Sequence, residues 1–503
     1  MLSTVIQHAF ALPVLLYTTV GVFLGITVGA IPGLSGDMAI ALLLPFVFKL
    51  SPEVAIGMLM GIYKGSMFGG SISAITFGVP GTPAAIATVY DGYPANKNGK
   101  PKQALMTALY SSFTGDLLST ALLVFLAVPM GRIALQFGPV EYFALYVFAL
   151  MMISLLVVGE MKKGIAAAGI GLFLGCIGMD PLIGSTRLTF GIGNLRGGIP
   201  MLSLLIGVFA LPELMNQFAH EYRKARARKA QDELKDARTE NYDPSRDKWS
   251  LKLYLSTFKS TMIGTAVGAF IGALPGAGSS LAALMSYGLS QKASKQPELY
   301  GTGVLEGIAA PEAGNSATAG ASLIPLFAFG IPGSATAALI GAALVMQGIS
   351  PGPMMIEENA VVIYSLFAIL LYATFINLFL SHGLIPMYAK LAKIKPKYLI
   401  PCVFALALVG VYASRNSMAD VWIALAAGVM GVVLRKFEYP LGPLVLGFIV
   451  GPGTERALRQ ALLMGRGDIM FLFKSPIALG FYAISLLSLV MIHLSLKKHV
   501  VED

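Results

Sequence analysis

Residues 142–159, 361–381 and 475–496 each run without a single Asp, Glu, Lys or Arg. As helices, such runs reach or nearly reach across the roughly 30 Å hydrocarbon core of a bilayer. Runs at 164–179 and 421–434 are shorter and need polar flanks to complete a crossing. Only 12% of the 503 residues are charged, about half the usual share in soluble domains. Most of the chain must therefore face lipid or other helices, and an all-α polytopic membrane protein is expected. The first apolar segment has no basic leading region and is too long for a removable signal, so it reads as part of the membrane body. A net charge of +10 does not point to nucleic acid, because the Lys and Arg fall in short gaps between apolar runs, where they orient spans. Cys176 and Cys402 each lie in an apolar run and offer neither a disulfide framework nor a CxxC metal site.

The apolar pattern is interrupted in a repeated way. "GAIPGLSGD" at 29–37 sets a proline between glycine pairs inside a stretch, Met1 to Phe48, whose only charges are Asp37. "GALPGAGS" at 272–279 answers it, and Gly21, Gly25 and Gly29 match Gly264, Gly268 and Gly272. A second pair follows, "FGVPGTPAAI" at 77–86 and "FGIPGSATAA" at 329–338, with a short insertion in the later copy. The chain thus reads as repeat one over 1–219, a polar linker over 220–250 and repeat two over 251–503, the last with an extra C-terminal helix. Two repeats, each holding two interrupted apolar segments or re-entrant hairpins, are the expected pattern of a secondary transporter.

Charge bias predicts that the repeats are inverted. The linker carries five basic residues between Arg223 and Lys229, which places it in the cytoplasm. The loop after the second break of repeat one holds Lys97, Lys100 and Lys102, whereas its counterpart "GISPGPMMIEENA" holds only Glu357 and Glu358. Equivalent loops of opposite bias belong on opposite sides.

Proline removes a backbone donor and glycine admits conformations closed to other residues, so together they open a helix. In lipid an unmet N–H or C=O costs several kcal/mol, so an opened helix belongs where it lines a cavity. The half-helix after each break points free N–H groups and a positive dipole end inward, which suits a carboxylate. Candidate substrate groups are therefore Pro32, Gly33, Ser35, Gly36, Lys64, Ser71, Ser73, Pro80, Gly81 and Thr82 in repeat one. Repeat two offers Pro275, Gly276, Gly278, Ser279, Asn315, Ser316, Pro332, Gly333 and Ser334. Candidate ligands for a coupling ion, Na⁺ or H⁺, are Asp37, Thr76, Ser280, Glu312 and Thr318; no resident cofactor is expected. The glycine ladders themselves read as close helix packing, and many of the hydroxyls have the alternative of bonding their own helix. Charges within apolar segments are Asp37, Lys64, Asp116, Glu306 and Glu312, and each needs a partner or a task. Lys64 has two open readings, a grip on a substrate carboxylate or a buried pair with Asp116. Asp37 has two as well, a cap on the new helix or a cation ligand.

"GAIPGLSG", "YKGSMFGGSISAI", "VPGTPAAIATVYDGYP", "IGMDPLIGSTRLTFG", "APEAGNSA" and "FGIPGSATAA" together resemble the large membrane subunit, TctA type, of the tripartite tricarboxylate transporters. The likeness runs from about residue 10 to 470. It implies uptake of organic di- or tricarboxylates across a bacterial inner membrane, driven by an ion gradient. It also implies a small four-helix membrane subunit and a periplasmic solute-binding protein as partners. Lys64 and Asp116 are charged where the resemblance leads one to expect uncharged residues. Two other classes compete. "GLSG" at 33–36 fits an intramembrane serine protease with Ser35 as nucleophile and His382 as base, but the repeat copy reads GAGS and keeps only the Pro-Gly. A passive anion channel keeps the breaks without ion coupling.

Overall fold

The computed structural model describes residues 1–31, 34–155, 161–180, 183–215, 247–276, 278–391 and 396–501. Pro32, Gly33 and the linker up to residue 246 lie outside them. Repeat one contains α1 (Leu2–Ala9), α2 (Leu12–Ala30), α3 (Gly36–Val47), α4 (Pro52–Phe77), α5 (Ile86–Lys97), α6 (Pro101–Ala134), α7 (Pro139–Leu155), α8 (Met161–Gly175) and α9 (Met201–Leu205). Repeat two begins with α10 (Leu251–Ser256), α11 (Phe258–Ala273), α12 (Gly278–Ala293), α13 (Glu306–Ala321), α14 (Leu323–Phe329) and α15 (Ala335–Met346). It continues through α16 (Met354–Glu358), α17 (Ala360–Leu391), α18 (Pro396–Arg415), α19 (Met418–Lys436), α20 (Leu441–Met464) and α21 (Pro476–Val501). Among the described residues the only sheet is a two-stranded antiparallel ladder pairing Gly178–Met179 with Thr186–Arg187. Helices α2, α6, α17 and α19 are long and apolar enough to cross a membrane, and several shorter apolar helices accompany them. The protein is an all-α polytopic membrane protein.

The helices break where the proline-glycine pairs stand. α2 ends at Ala30 with Ile31 extended, and α3 restarts at Gly36 behind Ser35, whose Oγ accepts the Met38 N–H at 3.2 Å. α11 ends at Ala273 in the same way with Leu274 extended. The next turn needs Gly276: its φ is +79°, and a Cβ there would meet Ile153 at 1.8 Å. α4 and α14 both stop on a left-handed glycine, Gly78 and Gly330. Their chains then turn back so that Gly81 N–H donates to Gly70 O at 3.1 Å and Gly333 N–H donates to Ser322 O at 3.1 Å.

The glycine ladders are interfaces. A Cβ on Gly25 would lie 2.4 Å from the Ile62 carbonyl oxygen, and one on Gly268 would lie 2.2 Å from that of Gly314. Removing the side chains lets α2 lie directly on α4 and α11 on α13. Gly21, Gly25 and Gly29 meet Met58, Ile62 and Ser66 in rising order, so α2 and α4 run parallel. Gly264, Gly268 and Gly272 meet Ala310, Gly314 and Thr318 in the same order, and α11 runs parallel to α13. Between the halves the sense reverses: Asn315 bonds Met67 while Tyr63 bonds Ser322, so α4 and α13–α14 are antiparallel.

One buried ion pair ties three helices at this crossing. Lys64 on α4 is 1% exposed, and its Nζ donates to Asp116 Oδ1 at 2.6 Å, Thr120 Oγ1 at 2.8 Å and Thr374 Oγ1 at 2.7 Å. Asp116 and Thr120 belong to α6 and Thr374 to α17. Thr374 also donates to Asp116 Oδ2 at 2.8 Å. An ammonium has three donors, and all three are used here.

Before α9, which begins at Met201, the described residues of 176–200 form a folded loop. Its anchor is Arg187, which donates to the Cys176 carbonyl at 2.8 Å and forks onto Glu455 of α20. Arg459 closes the group on Asp180 at 2.6 Å. Gly-rich sequence with several left-handed residues, among them Leu188 and Phe190, does not continue a helix.

Two outcomes test these contacts. Gly25→Val should destabilise the purified protein by at least the roughly 1–3 kcal/mol of an overpacked core. Gly193→Ala, with open space around the added Cβ, should leave the melting temperature unchanged, and equal effects would remove the close-packing account. Lys64→Met or Asp116→Leu alone should cost about 3–5 kcal/mol by stranding a buried charge, while the double change should be milder than either. Strictly additive losses in that cycle would show that the two charges do not depend on each other.

Candidate functional site: polar clusters at the helix breaks

Two polar clusters form where a half-helix of one repeat meets the other repeat. At the first, the starts of α3 and α15 face each other. Ser35 caps α3, and Ser334 caps α15 by accepting the Ala337 N–H at 3.1 Å. Asp37, in the first turn of α3, accepts a hydrogen bond from Thr336 in the first turn of α15. The cap is thus Ser35, and Asp37 bridges the two helix starts. Beside them Tyr63, 1% exposed on α4, sets its hydroxyl 3.1 Å from Ser322 Oγ and 3.5 Å from Ser334 Oγ. Two helix N-termini, each carrying about half a positive charge, and a fan of hydroxyls converge here. That arrangement offers donors to an oxyanion.

The second cluster lies where α4 and α5 meet α13. Glu312 on α13 is fully buried, and Thr88 of α5 donates to its Oε1. The Ser71 hydroxyl of α4 lies beside the same carboxylate without completing a hydrogen bond. Asn315, one turn further along α13, donates from Nδ2 to the Met67 carbonyl at 3.2 Å. Glu312 Oε2, Asn315 Oδ1, Ser71 Oγ and Thr82 Oγ1 are buried atoms with no hydrogen-bond partner.

The remaining sequence candidates divide. Gly36 starts α3 against Ser66, where a Cβ would come within 2.1 Å of the Ser66 hydroxyl. Pro80, Gly81 and Thr82 form the first-repeat break, with Thr82 Oγ1 packed on Gly70. Pro332 and Gly333 form its counterpart. Pro275, Gly276 and Gly278 form the break before α12, whose first turn holds half-buried Ser279 and Ser280. Ser73, Thr76 and Thr318 bond carbonyls of their own helices, at Gly70, Ile72 and Asn315. Ser316 pairs with Ser112 of α6 at 2.6 Å. Lys64 is held by its three partners. Ser35 and His382 are not brought together: Ser35 caps α3, and His382 Nδ1 lies 3.4 Å from the Tyr110 hydroxyl.

Sequence reasoning missed Tyr63, Ser322, Thr336 and Thr88 as members of these clusters. It also passed over Asp91, a fully buried carboxylate that accepts the Gly301, Gly303 and Val304 N–H groups and the Tyr287 hydroxyl. Thr88, Asp91 and Thr336 all sit inside the quoted motifs, so the available signal was a polar residue in a motif with no local partner.

Residues 15–446 match the family described as the tripartite tricarboxylate transporter TctA family. An uncharacterized 52.8 kDa protein of the TAR-I ttuC' 3' region of Agrobacterium vitis is 36% identical over 472 residues, which cover 94% of this chain and 91% of that protein. A second uncharacterized protein of that organism, from the TAR-II ttuC' 3' region, is 34% identical over 214 residues, 42% of this chain and 88% of its own length. No solved structure matches the chain significantly. The family match takes in both pairs of helix breaks and both polar clusters, and the chain belongs to the TctA family of tripartite tricarboxylate transporters.

Proposed function

We propose that this chain is the membrane subunit that imports organic di- or tricarboxylates across a bacterial inner membrane, driven by a Na⁺ or H⁺ gradient. A small four-helix membrane subunit and a periplasmic solute-binding protein complete the system and deliver the substrate. The observation that carries this reading is the convergence of two capped helix starts, α3 and α15, on Tyr63, Ser322 and Ser334. Carboxylate oxygens are acceptors, and the hydroxyls and positive dipole ends gathered there can meet them, while Asp37 is matched by Thr336. Lys64 acts in this reading as the tie between α4, α6 and α17, because its donors are already engaged.

The inverted arrangement of the repeats is part of the proposal, and two contacts support it. Asp247 at the end of the linker accepts the Lys102 and Gln103 N–H groups at 2.7 and 2.9 Å, which sets the linker's end at the start of α6. Gly131, near the far end of α6, lies against Pro353 and Ile356 of the acidic 348–360 loop. A helix of 34 residues spans about 50 Å, more than the bilayer core, so the Lys-rich and acidic loops stand at opposite ends of one membrane-length helix.

Two measurements test the proposal. Single cysteines at Lys100 and Glu358 should label differently with a membrane-impermeant thiol reagent on intact cells, the second site reacting and the first protected. Equal labelling would remove the inversion. In proteoliposomes supplied with both partner proteins and an ion gradient, carboxylate should accumulate against its own gradient. Tyr63→Phe and Ser334→Ala should slow that uptake about tenfold each, at unchanged protein level. Uptake that only equilibrates would mark a passive channel, and wild-type rates in both variants would move the substrate site elsewhere.

A further inference from the structure

We infer that Glu312, Asn315 and Ser71 form a binding site for a monovalent hard cation of the sodium class at the crossing of α4 and α13. The inference deepens the transport reading and rests on it only for the ion's role, since the site itself follows from local chemistry. Glu312 is 0% exposed and Ser71 0%, while Asn315 is 1% exposed. Each presents an oxygen with no hydrogen-bond partner: Glu312 Oε2, Asn315 Oδ1 and Ser71 Oγ. Buried polar atoms of this kind are rare in folded proteins because each forfeits its water without recompense. Three of them within one helix crossing point to a missing electropositive guest.

The positions agree with a shared guest. Glu312 and Asn315 stand one turn apart on α13. Asn315 Nδ2 is fixed to the Met67 carbonyl, which presents the turn Met67–Ser71 of α4 to the turn Glu312–Asn315 of α13. Ser71 lies beside the Glu312 carboxylate, and Thr88 steadies the other carboxylate oxygen from α5. Three elements therefore hold one acid and two neutral oxygens.

Charge balance sets the valence. On α4 Lys64 is taken by Asp116 and Glu53 lies against His8; on α5 Asp91 accepts backbone N–H groups and Lys97 sits over the Tyr93 ring; on α13 Glu306 accepts from Ser294. Helix α13 contains no Lys or Arg. A buried carboxylate without a counter-charge is costly. One positive charge neutralises it, whereas a divalent ion would leave a buried excess. Among the described residues no group of three His, Cys, Asp or Glu gathers as a transition metal would require. Hard cations take oxygen ligands of this mixed carboxylate and carbonyl type.

The duplication gives an internal comparison. Counted from the matched contacts at Met58 and Ala310, Glu312 corresponds to Met60, Asn315 to Tyr63 and Ser71 to Leu323. The same crossing in the other half therefore lacks an acid and an amide, and the oxygen set is confined to one of the two sites.

The test reads binding rather than uptake, so it can fail separately from the transport reading. Thermal unfolding of the purified full-length protein is followed while NaCl replaces choline chloride at constant ionic strength. A ligand that binds only the folded state raises the unfolding temperature with the logarithm of its concentration above the dissociation constant, and the wild type should show this with Na⁺. Glu312→Gln should lose the Na⁺ dependence, and Ser71→Ala should need at least tenfold more Na⁺ for the same rise in unfolding temperature. Identical wild-type unfolding in the two salts would overturn the site, and so would a wild-type Na⁺ response in Glu312→Gln. If Glu312→Gln does not fold, Ser71→Ala decides, and an unshifted Na⁺ concentration dependence in that variant overturns the assignment.

Discussion

A backbone amide freed inside a membrane must find an acceptor, and the way this chain meets that demand organises the rest of it. Gly276 N–H donates to Gly333 O at 2.8 Å, and Gly333 N–H donates to Ser322 O. The break before α12 is thereby satisfied by the break before α15, and the latter by the α13–α14 junction. In repeat one Gly81 N–H uses Gly70 O in the same manner. A Cβ on Gly81 would strike the Gly29 carbonyl at 2.1 Å, and one on Gly333 would strike that of Gly272 at 2.7 Å. The last rung of each glycine ladder is thus the seat for the next break. The proline-glycine pairs and the ladders are one device, since the tip can reach its acceptor only if the helix below it lacks side chains.

This device was legible in the sequence as a pattern, because glycine spacing and Pro-Gly pairs are local and were repeated. The all-α polytopic class and most spans were legible for the same kind of reason, since uncharged length is a local property. Cluster membership was not. Thr336 and Asp37 are 299 positions apart, and Thr88 and Glu312 are 224 apart, so nothing near either residue announces its partner. Nor was the fold of the described residues between α8 and α9. Their loop is fixed by Arg187 and Glu455, 268 positions apart, and no periodicity reports such a clasp.

The two halves also show how duplicated crossings diverge once each has a different neighbour. Lys64 corresponds to Ser316. The first meets Asp116, Thr120 and Thr374, and the second meets Ser112. A charge on one copy was matched by a charge on α6, while the other copy kept a neutral hydroxyl pair. The unpaired acid, Glu312, then lies in the half that has no such lysine. A lysine at Ser316 would stand one turn from Glu312 on α13 and would neutralise it permanently. The fixed cation thus stands in one half, and the acid on a helix without Lys or Arg stands in the other.

α4 connects these functions mechanically. It carries Tyr63 to the starts of α3 and α15, Lys64 to α6 and α17, and Met67 and Ser71 to α13. From Tyr63 to Ser71 is about 12 Å along one helix, so the Tyr63 hydroxyl and the neighbour of Glu312 move as one piece. Lys64 lies between them and clamps that piece to both long helices. Any shift of α4 against α13 that alters the surroundings of Glu312 must also move Tyr63 relative to Ser322 and Ser334, because the helix has no break between those positions. The surroundings of Glu312 and the hydroxyl fan at Tyr63 are then two consequences of one helix position, and under the proposed transport reading that shared helix would link an ion's binding energy to a carboxylate's.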